Sequence, residues 1–160
     1  ACGGIGPLGG APPPPEPAAA AAAGGAPAAP PVERPWGGAL ETDALREGRP
    51  CQPTPVGRRP YRARELRDDA PRIEGAFRAL FFRARAEQRY DSIDVVCCHA
   101  NVIRYFACRA LQLPPEAWLR ISLAHGSVTL LAVRPSGHVS LLALGDTAAM
   151  PTALVTRSNL

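Results

Sequence analysis

The clearest pattern of apolar and polar positions lies in the middle of the chain. Ile73, Phe77, Leu80, Phe81 and Ala84 fall at i, i+4, i+7, i+8 and i+11, the spacing of one helical face. Asp68 and Asp69 stand before Ala70-Pro71, an acidic start with proline in the first turn. Arg72, Arg78, Arg85 and Glu87 lie largely off the apolar face, and Glu74 and Arg78 are spaced as an i,i+4 pair, worth roughly 0.2–0.5 kcal/mol on an exposed helix. Tyr90-Asp91-Ser92 interrupts the pattern. Residues 93–98 are then almost continuously apolar, which predicts a short buried strand in a parallel arrangement. Ile103, Phe106, Ala107, Ala110 and Leu111 trace a second helical face, ended by Pro114-Pro115, with a further helical turn expected over residues 115–120. Residues 127–133 and 139–144 read as two strands joined by the turn Pro135-Ser136-Gly137, and Gly145-Asp146 closes the hairpin. Helix, strand, helix and hairpin in this order predict an α/β layer protein.

The flanks carry no such pattern. Residues 39–45 are too short to assign, and residues 48–60 hold Pro50, Pro53, Pro55, Pro60 and Gly57, an irregular loop. Alanine, proline and glycine make up 28 of the first 35 residues. A stretch so poor in large apolar side chains does not offset chain entropy, so residues 1–38 are expected to be disordered. Residues 39–150 form the folded part and residues 151–160 a loose tail. A chain of 160 residues allows one ordinary domain.

Charge adds less than it first suggests. The formal net charge is +4, every one of the 18 basic residues is arginine, and 12 of them lie between Arg46 and Arg89 against six acids. Such a segment attracts phosphates, but a solvated arginine surface is the simpler reading, and no nucleic-acid motif accompanies it. The five cysteines are odd in number and form no Cys-x-x-Cys pair, which speaks against both a disulfide framework and a zinc site and for reduced thiols. No apolar run approaches the length of a membrane helix; the longest candidate is residues 18–23.

His99 is the position with most chemical content. It falls where the predicted strand ends and the second helix begins, where ligands of open α/β sheets bind and where free N–H groups and the positive end of the helix dipole face outward. Asn101 is placed either to cap the helix or to orient an anion. Spacing alone leaves a structural histidine about equally acceptable.

The run Cys98-His99-Ala100-Asn101-Val102-Ile103-Arg104-Tyr105 resembles the second-histidine motif of the histidine phosphatase superfamily. Further agreement comes from Leu45-Arg46-Glu47-Gly48, Arg72-Ile73-Glu74, Ala76-Phe77-Arg78, Cys108-Arg109-Ala110-Leu111-Gln112, Trp118-Leu119-Arg120, Gly126-Ser127, Arg134-Pro135 and Leu144-Gly145-Asp146-Thr147. Together these segments, from about Thr42 onward, resemble the protein serine/threonine phosphatases of the phosphoglycerate mutase family. The resemblance implies a phosphoglycerate mutase-like sheet with flanking helices. It implies metal-independent attack on phosphoproteins through a phosphohistidine, with no cofactor. His99 corresponds to the second histidine at the phosphoryl group, Glu47 to the acid that protonates the leaving oxygen, and Ala100 to a residue whose backbone N–H faces phosphate. Arg104 and Tyr105 match the motif as structural residues, while His125 and His138 are expected to be exposed. Homo-oligomers, a mitochondrial outer-membrane location and an anchor upstream of this chain are further implications.

One departure changes the expectation for activity. The chain has three histidines and none follows an arginine, so the Arg-His-Gly-type nucleophile and the later phosphate-binding arginine segment have no counterpart. The chain therefore reads as the C-terminal part of the fold: a partial or aberrant product of an enzyme, or an inactive scaffold. No turnover is expected from it alone. A parallel sheet lacking its central strand would also leave an edge and an apolar face uncovered, so poor solubility or partial order is expected.

Overall fold

Helix α2, Asp69–Leu80, forms as its sequence predicts. Pro71 sits in the first turn, where the N–H it lacks would have had no intrahelical acceptor. The Asp68 side chain makes no capping hydrogen bond, and Asp69 supplies the negative charge of the first turn. The helix ends at Leu80, short of Ala84. Phe81 is already extended, with its N–H donating to Phe77 O at 2.9 Å. Its ring stacks on Phe77 at 4.8 Å and meets Phe106 edge-on at 5.6 Å. The apolar face is satisfied there, and Phe82 beyond it is exposed.

These elements come from a computed structural model that describes residues 39–57 and 59–157. The disorder expected for residues 1–38 and the last three residues of the tail lie outside the described residues. Ala39 and Tyr90–Ser92 belong to one unit, and Leu40–Arg89 with Ile93–Leu160 to another; every element named below is in the second. In chain order it holds a 3-10 turn Asp43–Leu45, α1 Ala63–Leu66, α2, α3 Ala100–Ala110, a 3-10 helix Pro115–Arg120, strands β1 Val128–Val133 and β2 Val139–Asp146, and a 3-10 turn Thr152–Leu154. Helices with a small antiparallel sheet agree with the α/β class.

Helix α3 differs from the one-sided helix its periodicity predicts. Val102, Arg104, Tyr105, Phe106, Ala107, Cys108 and Ala110 are all buried, because α3 packs against both α2 and the 3-10 helix at Pro115–Arg120. Ile73, Ala76, Val102, Tyr105 and Phe106 form the shared core. Trp118 is buried next to it and donates its Nε1–H to Cys51 O at 3.2 Å, which ties the proline-rich loop down. The hairpin also forms as read, with Val133 opposite Val139 and Val128 opposite Asp146. Gly137 takes φ +87° at its turn, a conformation open to glycine, and its N–H donates to Arg134 O at 2.8 Å.

Two expectations fail. Residues 93–98 are not a strand and are not buried: Ile93 is 88% and Val95 85% exposed. The hairpin is the only sheet among the described residues, so no neighbouring strand offers a ladder of hydrogen bonds to this segment, and without one an apolar run has no sheet to enter. The tail is not loose through Arg157. His125 N–H donates to Thr156 O at 2.9 Å, the His125 ring pairs with Thr156 Oγ1 at 2.8 Å, and Ala124 bridges to Arg157.

Charges join the two main helices. The Glu74 carboxylate accepts from Arg78 at 2.8 Å, as its spacing predicts, but also from Tyr105 Oη at 2.8 Å and from Arg109 Nη2 at 2.8 Å and Nε at 3.0 Å. The Arg109 hydrogen bonds are the main reason its pKa falls from an ordinary 4.5 to about 2. A depressed carboxyl pKa stabilises the fold fully above about pH 4.5 and progressively less as pH drops toward 2. Glu74→Ala is expected to lower the opening free energy of α3 by about 1–3 kcal/mol, read by amide hydrogen exchange, and to remove that part of the acid-side decline. An unchanged acid-side profile in the variant would contradict this account.

Candidate active site

His99 is the residue before α3, at φ −106° and ψ 160°, with its carbonyl accepting the first helical bond from Ile103 N–H at 3.0 Å. Its ring makes no capping bond and is exposed. Ala100 opens the helix, so its N–H belongs to the group of amides that have no intrahelical acceptor. Cys98 precedes them, half-buried. Burial is the main cause that pushes its thiol up to about 11, with the Cys97 sulfur and the Glu47 carboxylate adding to it and a hydrogen bond from the His99 N–H opposing. Such a thiol is protonated near neutral pH and is a poor nucleophile.

Glu47 arrives from a loop that is distant in sequence and pinned from three directions. Arg72 on α2 donates to the carbonyls of Asp43 at 3.1 Å, Ala44 at 3.0 Å, Arg46 at 2.8 Å and Glu47 at 3.3 Å, and to Asp69 Oδ1 at 2.8 Å. Asp69 Oδ2 accepts from Arg49 N–H at 3.1 Å. On the other side, Asn101 Nδ2 donates to Gly48 O at 3.2 Å. Glu47 itself is exposed and folds one carboxylate oxygen back on the Gly48 N–H at 3.0 Å. The loop and the start of α3 therefore meet at Gly48 and Asn101, each within two residues of the predicted acid and histidine. Asn101 does not cap the helix; it joins the two segments.

Gly48 is the residue that lets this junction close. A Cβ there would lie 2.6 Å from both Arg72 Nη2 and Asp69 Cγ, two groups already fixed by their own hydrogen bonds.

Arg104, expected from the motif as a structural residue, is deeply placed at this turn. It is 3% exposed, donates Nη1 to Asn101 Oδ1 at 3.0 Å, and leaves Nε without a partner. Among the described residues no carboxylate lies within ion-pair distance of it. Burial lowers its pKa, and the Glu47 carboxylate opposes that. A buried guanidinium without a paired acid gives the turn a positive centre. The clue in the sequence is the i,i+3 spacing from Asn101 to Arg104.

Other sequence candidates lie elsewhere. His125 and His138 are exposed, as expected. Four arginines of the arginine-rich segment are ion-paired: Arg49 and Arg59 with Glu65, Arg72 with Asp69, and Arg78 with Glu74. Two shallow hollows, of about 240 Å³ beside Phe77, Phe82 and Arg83 and about 360 Å³ beside Thr54 and Glu116, include neither His99 nor Glu47. The site is an open turn on the surface rather than an enclosed cavity.

Comparison with known proteins bears on this turn. Residues 40–147 match the family described as histidine phosphatase superfamily (branch 1). The chain is 52% identical over 120 residues to the mitochondrial serine/threonine-protein phosphatase PGAM5 of Rattus norvegicus and to that of Homo sapiens, covering 74% of this chain and 42% of each relative. It is 53% identical over 113 residues to the mitochondrial serine/threonine-protein phosphatase Pgam5 of Drosophila persimilis, covering 70% of this chain and 39% of the relative. The chain thus spans about two fifths of the length of these relatives. Among solved structures, a phosphoglycerate mutase from Plasmodium falciparum is 37% identical over 53% of this chain and 52% of that one, with a TM-score of 0.39.

Gly48→Ala is expected to part the Arg72–Asp69 pair or displace the loop, at a cost of about 1–3 kcal/mol. Amide exchange at Arg49, whose N–H is bonded to Asp69, should quicken while exchange in the hairpin stays unchanged. Undiminished protection at Arg49 would show that the junction tolerates a methyl group.

Proposed function

The chain belongs to the histidine phosphatase superfamily, branch 1, and we propose that it carries the second-histidine and proton-donor portion of a protein serine/threonine phosphatase site. In this reading the substrate is a phosphoserine or phosphothreonine side chain. His99 and the Ala100 N–H hold the phosphoryl oxygens as charge moves onto them. A histidine nucleophile attacks phosphorus, the bond from phosphorus to the serine or threonine oxygen breaks, and Glu47 gives its proton to that oxygen. Water then attacks the phosphohistidine. No metal or cofactor enters these steps.

The support is the junction at Gly48 and Asn101, which brings the Glu47 loop to the start of α3 where His99 stands. The relatives are named as mitochondrial, and we place this protein in the mitochondrion, at the outer membrane through an anchor preceding these residues, and in homo-oligomers. Nucleic acid is not among its partners in this reading.

The nucleophile is the step these residues do not supply. No histidine follows an arginine, and His125 and His138 lie at exposed positions after α3. This observation favours a second reading, an inactive scaffold of the same fold that binds phosphorylated partners without turning them over.

Both readings predict that inorganic phosphate perturbs the His99 ring and Ala100 amide resonances, that His99→Ala abolishes the effect, and that the chain alone does not hydrolyse a phosphoserine peptide. Hydrolysis that survives His99→Ala would overturn the site. Turnover restored by adding a separately expressed segment with an Arg-His-Gly-type motif would decide for the enzyme; phosphopeptide binding without such restoration would decide for the scaffold.

A further inference from the structure

Asn101 has two side-chain groups of opposite polarity, and the structure uses both. Its Nδ2 donates to Gly48 O at 3.2 Å, and its Oδ1 accepts from Arg104 Nη1 at 3.0 Å. An arginine donates only and a carbonyl accepts only, so the amide has a single orientation that satisfies both neighbours. Arg104 is 3% exposed and is held within α3, so it does not swing away to release the amide. The bond it orients is a direct link between the helix start that bears His99 and the loop that bears Glu47.

We propose that Asn101, oriented by the buried Arg104, is the positioning residue that holds Glu47 at the phosphoryl group bound by His99. The inference rests on the reading of Glu47 and His99 as one site. Arg72 and Asp69 fix the loop to α2, and α2 packs on α3 through the shared core. Asn101 adds the direct bond from the loop to the start of α3, beside His99. Neither Asn101 nor Arg104 needs to touch substrate for this role. Loss of the link leaves the phosphate-facing amides in place and takes the carboxyl out of register with them, so the affected property is proton donation rather than phosphate capture.

The measurement is phosphate affinity as a function of pH, in the full chain, read from the His99 ring and Ala100 amide resonances. Over a mildly acidic pH range inorganic phosphate stays a monoanion. A protonated Glu47 facing it donates a hydrogen bond and an ionised one repels it. Affinity should therefore fall by about threefold or more across this range, and Glu47→Gln should flatten the profile. In Asn101→Ala the Glu47→Gln substitution should have no further effect on the profile, while affinity at the acid end changes little. Asn101→Asp keeps the bond from Arg104 and loses the donor to Gly48, and it should behave the same way when compared with its own Glu47→Gln partner. It decides the matter if Asn101→Ala loses exchange protection along α3. A Glu47-dependent slope that persists in both backgrounds would overturn the positioning role and leave the site standing. A wild-type chain whose His99 and Ala100 signals ignore phosphate, or whose profile ignores Glu47→Gln, would overturn the site and this inference together.

Discussion

One guanidinium organises the part of the molecule that holds the candidate site. Arg72 gathers the main-chain carbonyls of Asp43, Ala44, Arg46 and Glu47 and the carboxylate of Asp69. The Asp43–Leu45 turn ends with its carbonyls facing outward, and such groups must find donors. A lysine ammonium has three donors at one point, whereas the arginine fork spreads five across a plane. Only the latter spans carbonyls from four residues. The loop that results has no regular structure beyond that turn, yet its position is set by the helix beneath it. Gly48 completes the arrangement by bearing no side chain where Arg72 and Asp69 come closest.

Three carboxylates hold the fold, and Glu47 of the proposed site is not among them. Glu65 and Glu74 are both held near pKa 2 by arginine hydrogen bonds, Arg59 being the main cause for the first and Arg109 for the second. Asp69 is lowered too: burial works to raise it, and the hydrogen bonds from Arg72 and the Arg49 N–H outweigh that. These groups stay ionised and structural. Glu47 accepts a hydrogen bond from its neighbouring Gly48 N–H and takes part in no ion pair among the described residues. A carboxyl outside an ion pair suits the proton donation proposed for Glu47.

Apolar surface remains uncovered outside the helix core. Ile93, Val95, Val128, Leu130 and Leu142 are all roughly half or more exposed. In the hairpin this follows from a sheet of two strands, whose faces have too few neighbours to bury. For residues 93–98 it follows from the lack of any adjacent strand among the described residues. The composition of that segment suits a sheet interior, and its environment in this chain is solvent.

Local patterns in the sequence determined α2, α3, the Pro115–Arg120 turn and the hairpin, because helix and strand periods and turn residues act within a few positions of one another. Motif resemblance marked His99, Glu47 and Ala100, and the structure sets the segments that carry them side by side. Tertiary structure alone decided the rest. It buried α3 on both sides, stopped α2 at Leu80 once Phe81 had met Phe77 and Phe106, turned Arg72 from a surface residue into a clamp, and left residues 93–98 without a sheet. A hydrogen bond such as Asn101 to Gly48 joins residues 53 apart. No periodicity encodes that distance; it exists only when both partners have been carried to the same place by the packing of other side chains.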